Sequence, residues 1–144
     1  MTKSAMALVL ALGFVLPACG DEDETADTSD SLEIKGEWIS NFGNTPEVIS
    51  NDSWDVESED YPSSSEIVEY SNEDNALVLL GEDGTYGQTV WTEIEDDSFY
   101  YCGVSFGQAT AEEAVDEAQS FDDSDPESGG CGDSGFFWTK LTRQ

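Results

Sequence analysis

From Leu32 to Phe106, apolar and polar positions alternate in short runs, each ended by Asn, Asp, Gly or Ser. Alternation with a period of two marks a half-buried strand, and the interrupting residues are those that supply turns. Ile34, Gly36 and Trp38 alternate with Glu33, Lys35 and Glu37, which predicts a first strand. Asn41-Phe42-Gly43-Asn44 is a turn, and residues 47–50 and 53–57 form two short strands about the turn Asn51-Asp52. Residues 59–65, with Pro62 and a serine run, read as a loop. Residues 66–71 alternate again around Ile67/Val68 and Tyr70, and 76–80 (ALVLL) form a strand buried for most of its length. Glu82-Asp83-Gly84 is a turn. Residues 88–94 carry Trp91, Glu95-Asp96-Asp97-Ser98 turns the chain, and residues 99–106 run back through Cys102.

The period then changes. Ala111, Ala114, Val115 and Ala118 fall at helical spacing, behind a capping box formed by Thr110 and Glu113. Glu112 and Glu113 lie in the first turn, where the helix dipole favours acids. This predicts a short helix to about Gln119, followed by an acidic, Gly-rich loop over 122–134 and a closing strand over 136–142 with Trp138. The expected fold is mainly β, a small antiparallel β-barrel or sandwich of about seven or eight strands with one short helix before the last strand. The Gly36-Glu37-Trp38 start and the late helix resemble a lipocalin in miniature. That resemblance implies a barrel with a ligand-holding interior.

Upstream of Leu32 the pattern differs. One basic residue, Lys3, precedes an uncharged apolar run over 5–15. Eleven residues are too few to cross a hydrocarbon core, which needs about 20, and suit the apolar region of an export signal. The run ends in Leu16-Pro17-Ala18-Cys19, which resembles a bacterial lipobox. The resemblance implies that residues 1–18 are a lipoprotein signal peptide and that the Cys19 sulfur carries a diacylglycerol. A diacylglycerol supplies two acyl chains, enough for stable anchoring. No acid precedes Cys19, whereas Asp21-Glu22-Asp23-Glu24 follow at once. Residues 19–31 are expected to form an acidic tether, and residues 32–144 a single small β-rich domain. Gly20 after the cysteine leans towards the outer membrane in lipoproteins of enteric type, giving an expected cell-envelope, lipid-anchored location.

Charge narrows the function further. From Cys19 onward the chain carries all 33 acids against Lys35, Lys140 and Arg143, a formal −30. Such a surface repels nucleic acid and anionic bilayers. Acidity alone would suggest disorder, but four Trp, five Tyr and six Phe after Cys19 supply a core. Trp38, Trp54, Trp91 and Trp138 are read as core. Tyr100 and Tyr101 are neighbours on a strand, so one of them points away from the core and is a candidate ligand contact. With Cys19 taken by lipid, Cys102 and Cys131 remain as an even pair in an oxidising setting, expected to be bridged, with free thiols or a metal pair as the alternatives.

Little catalytic chemistry is available. The chain has no His, so Ser-His and Cys-His nucleophilic systems are excluded. Gly81-Glu82-Asp83-Gly84 would set acids where a phosphate must sit. Carboxylate pairs are too many to single one out. Asp123, Asp125 and Glu127 alternate like the start of an EF-hand loop and are the candidate metal ligands, but Ser128 and Ser134 occupy the places where that loop needs Gly and Glu. No enzyme activity and no cofactor is expected.

A second resemblance covers roughly residues 34–142. Trp91-Thr92, Phe99-Tyr100-Tyr101-Cys102, Asp125-Pro126, Gly130-Cys131-Gly132 and Phe137-Trp138-Thr139-Lys140-Leu141-Thr142 are similar to an uncharacterised family of small lipoproteins of myxobacterial type. It implies a Cys102–Cys131 disulfide and an anchored extracytoplasmic domain, and no activity. The leading expectation is a non-enzymatic structural or interaction domain of the cell envelope, with an envelope protein or a small ligand as partner. A small-ligand-binding barrel and a Ca²⁺-dependent module are the alternatives. Cys19→Ser is expected to abolish incorporation of labelled fatty acid and to leave an uncleaved or soluble product. Label that still migrates with the variant would refute the lipid anchor.

Overall fold

The computed structural model describes residues 31–132 and 135–144. The expected signal peptide, Cys19 and all of the tether except Ser31 lie outside the described residues. Eight strands form a closed antiparallel barrel in sequential order. They are β1 (Gly36–Ser40), β2 (Pro46–Ile49), β3 (Ser53–Val56), β4 (Ser63–Ser71), β5 (Ala76–Leu80), β6 (Tyr86–Trp91), β7 (Ser98–Gly103) and β8 (Thr139–Arg143). One helix, α1 (Ala111–Asp116), precedes β8. The barrel closes where β1 meets β8, with Trp38 opposite Arg143 and Ser40 opposite Leu141. Closure leaves no sheet edge, which suits strands of only four to nine residues.

Some local expectations need correction. The serine run is strand: Ser63, Ser64 and Ser65 pair with Val56, Asp55 and Trp54. Partner strands supply the hydrogen bonds that serine propensity would not favour by itself. A register shift between Ile67 and Glu69 lets Ile67 and Tyr70, three apart, both pack on the core. Val68 is left 37 % exposed at that irregularity. The helix is shorter than expected and buries only Ala114. Its cap forms as read: the Glu113 amide donates to Thr110 Oγ1 at 3.1 Å, and the Glu113 carboxylate reaches back to the Ala109 amide at 3.0 Å.

Antiparallel order puts the connections alternately at two ends. One end holds the turns at 50–52, 72–75 and 92–97 together with residues 31–35, and it is closed. Leu32 and Ile34 plug it, both fully buried. Two turn residues fasten the plug: Asn51 Oδ1 accepts from the Leu32 amide, and Asn72 Oδ1 accepts from the Glu33 amide. Arg143 lies 4.4 Å from the Trp38 ring and caps the same end. Gly36, at φ +151°, passes beneath both, and a Cβ there would stand 2.9 Å from the Arg143 guanidinium. The turn at Asp96-Asp97 has both residues at positive φ, the geometry of a tight primed hairpin.

Two cores follow from the alternation. Trp38, Trp54, Trp91, Phe99, Leu77 and Leu141 fill the barrel interior with the plug residues. Trp38 and Phe99 meet edge to face at 4.8 Å. The second core lies outside the barrel wall: Val90, Cys102, Val104, Cys131 and Trp138 pack where the long 104–138 connection folds back over β6 and β7. Trp138 is therefore core as expected, but not barrel core. The Cys102–Cys131 disulfide forms there, with Cα atoms 6.2 Å apart. Across a separation of 29 residues the chain-entropy model assigns it about 3.6 kcal/mol. The double variant Cys102→Ser/Cys131→Ser is expected to melt roughly 10–20 °C lower, read by circular dichroism. A melting point unchanged by that variant would show the staple to be dispensable.

Candidate functional site

The other end of the barrel, with the connections at 41–45, 57–62, 81–85 and 104–138, is not plugged. Just inside it lies a cavity of about 140 Å³ walled by Trp54, Val56, Leu79 and Tyr101, with the hydroxyls of Ser63, Ser65 and Thr89. Ser63, Ser65, Leu79 and Thr89 also line an adjoining vestibule of about 400 Å³. The vestibule adds Glu82, Asp83, Tyr86, Gly87, Ser105 and Phe106. Strand alternation produces this wall. Trp54, Val56, Leu79, Thr89 and Tyr101 occupy inward positions, and small serines on β4 leave the space that larger side chains would fill.

Glu47 lies behind this wall, bonded to Trp54 and Tyr101. It occupies an inward position on β2, two residues from Ile49, and is 2 % exposed. Trp54 Nε1 donates to its Oε2 at 2.7 Å and the Tyr101 hydroxyl donates to its Oε1 at 3.3 Å. Ser40 also bonds the carboxyl. Burial raises the Glu47 pKa above the ordinary carboxylate range, and these donors offset only part of the rise. Tyr101 is raised as well, by burial and then by the neighbouring Glu47 charge. No Lys or Arg ion pair to Glu47 forms among the described residues, whose one recorded bridge joins Arg143 to Asp97 at 3.7 Å.

The sequence-based candidates divide. Tyr101 reaches the site, although it was the outward neighbour that was expected to make an exposed contact. Tyr100 does point outward, but it is half-buried, with Lys140 Nζ 5.5 Å from its ring. It lines a polar groove of about 670 Å³ with Asp123, Asp125, Glu127 and Lys140. The acids there do not converge: among the described residues no three of His, Cys, Asp and Glu are placed to hold a metal. Asp125 is engaged in its own turn, accepting from Ser128 Oγ at 2.6 Å. Ser134 lies outside the described residues.

Sequence reasoning missed Glu47. Its signal was parity with Ile49, an acid on the face that must turn inward.

The open end also gathers exposed aromatics. Phe42 (82 %), Tyr61 (83 %) and Phe137 (79 %) stand on its connections, with the Phe106 and Phe136 rings 5.1 Å apart and tilted at 47°. Phe106 can pack against Gly103 because that residue has no side chain; a Cβ there would clash with the ring.

Fold and site together define a small closed β-barrel, plugged at one end and hollow at the other. No protein-family model matches the chain, and neither a curated protein nor a solved structure does. Among the described residues no helix is long and apolar enough to cross a membrane.

Glu47→Gln keeps the volume and an acceptor for Trp54, and it removes the charge. Because folded Glu47 holds its proton more tightly than the unfolded chain does, the stability it contributes is present at low pH and is lost as pH rises through the folded pKa. The Gln variant is therefore expected to melt above the wild type at neutral pH, with the gap narrowing as the pH falls towards about 4. Glu47→Ala instead leaves Trp54 Nε1 and Tyr101 without their acceptor and is expected to cost about 2–5 kcal/mol. A gap between Gln variant and wild type that widens on acidification would refute the assignment.

Proposed function

We propose that this is a lipid-anchored protein of the cell envelope whose barrel is a non-enzymatic binding domain taking a small ligand at its open end. The observation that carries the reading is the asymmetry of the interior. Trp38, Trp91 and the Leu32/Ile34 plug fill one half, and a cavity walled in part by Trp54, with a vestibule beside it, occupies the other. The lipocalin resemblance of the Gly36-Glu37-Trp38 start agrees with this use of a barrel. Ser31, the last residue before the domain, sits at the closed end, where Asn72 Nδ2 holds its carbonyl at 2.9 Å. In this reading the tether joins the domain at the closed end, the end opposite the cavity.

The acidic surface supports an envelope setting without nucleic acid. The exposed Phe42, Tyr61 and Phe137 favour a second reading, in which the rim of the open end docks an envelope protein. Under either reading the barrel does no covalent chemistry.

Filling the cavity tests the first reading. Ser65→Leu places an apolar side chain into the space beside Trp54. A panel of neutral and charged compounds no larger than a substituted benzene ring is expected to quench tryptophan fluorescence in the wild type and not in the variant, while the melting points stay within a few degrees. A panel that leaves the wild type unchanged would reject the interior site and leave the rim.

A further inference from the structure

The cavity has two aromatic walls set at an angle. The Trp54 and Tyr101 rings lie 4.7 Å apart between centroids and 61° between planes. Their polar edges are both turned to the Glu47 carboxylate. The two rings meet edge to face, and both line the cavity. A carboxylate accepting from an indole N–H and a phenol O–H polarises both rings and deepens the negative potential of their faces. Glu47 thus acts behind the walls, buried and without a basic partner among the described residues.

The remaining lining has the same sign. Among the described residues no Lys or Arg lines the cavity or its vestibule, and Glu82 and Asp83 line the vestibule. A formal mature charge of −30 concentrates cations around the whole domain. Anions meet no donor stronger than a hydroxyl and face three acids. A small metal ion would have to give up its water to ring faces and serine hydroxyls, with no cluster of carboxylates to replace it. A weakly hydrated organic cation loses little on entry and gains at each ring. The volume suits it, since a space near 140 Å³ is about that which holds one benzene ring.

We propose that the open-end cavity is a site for a small organic ammonium ion, with the Trp54 and Tyr101 faces as its cage and Glu47 as the charge behind them. The proposal rests on the reading of the open end as a ligand site and names the ligand's chemistry. The cation is either a free compound or the exposed headgroup of a larger molecule, and both present the same ammonium.

The test titrates the full-length protein with choline and with its neutral isostere 3,3-dimethylbutan-1-ol, at constant ionic strength, by calorimetry and tryptophan fluorescence. Choline is expected to bind at least about tenfold more tightly than the isostere. Glu47→Gln is expected to erase most of that preference while leaving isostere binding in place. Tyr101→Leu is expected to weaken choline at least about tenfold, and Tyr101→Phe, which keeps the ring, much less. Glycerophosphocholine binding as well as choline would support a headgroup as the source, and much weaker binding a free ammonium. Equal affinity for choline and the isostere would overturn the cation assignment and leave the ligand site standing. Failure of both to bind would overturn the two together. Choline binding unaltered in Glu47→Gln and Tyr101→Leu would overturn the location.

Discussion

An indole N–H in a dry interior must find an oxygen, and three of them in one small barrel govern how this chain is arranged. Trp38 Nε1 donates to the Ile34 carbonyl at 2.9 Å, Trp91 Nε1 to Glu33 at 2.6 Å, and Trp54 Nε1 to Glu47 at 2.7 Å. The first two acceptors belong to the segment that plugs the closed end. The plug is thus held by the core it covers, and the core donors are satisfied by the plug. The third acceptor has no plug to come from, because that end is open. It is Glu47, a carboxylate of the barrel wall itself, and unlike Glu33 it is fully buried.

A carboxylate buried within the wall has consequences. A carbonyl would satisfy Trp54 at no electrostatic cost. Glu47 adds a charge whose desolvation raises its pKa, and it has no basic residue to offset it. Glutamine at the same place would serve the hydrogen bonds with less expense. The residue present is the one that stores negative potential behind two aromatic walls, next to the cavity at the open end. Stability and ligand chemistry pull in opposite directions at this position, as expected where a site sits within a core.

Tyr100 and Tyr101 show where reading from sequence stops. Strand parity separated them correctly, one in and one out. Which one mattered depended on what covered each face. The long 104–138 connection folds over the outside of β6 and β7, so the outward Tyr100 is half-covered and lies beside Lys140. The inward Tyr101 meets a cavity that exists because β4 presents serines. Asp123, Asp125 and Glu127 failed for a related reason: alternation on an extended loop spreads carboxylates apart unless a tight turn gathers them, and Asp125 spends its own oxygens on Ser128. Glu47 was legible only as an odd acid on a face that Ile49 shows must turn inward.

The sequence by itself determined the strand count, the late capped helix, the four buried tryptophans and the Cys102–Cys131 pair. The elements rest on periods of two and 3.6 and on turn chemistry, which act over a few residues, and the pair on a cysteine count that sets Cys19 aside for lipid. Only the tertiary structure decided that the sheet closes, that Trp138 packs outside the barrel rather than within it, and that one end is plugged while the other is hollow. These depend on contacts between residues far apart in the chain, such as Trp38 with Arg143 and Glu47 with Tyr101. Local alternation specifies which face a side chain takes. It does not specify what volume the opposite wall leaves, and the hollow at the open end is set by that volume.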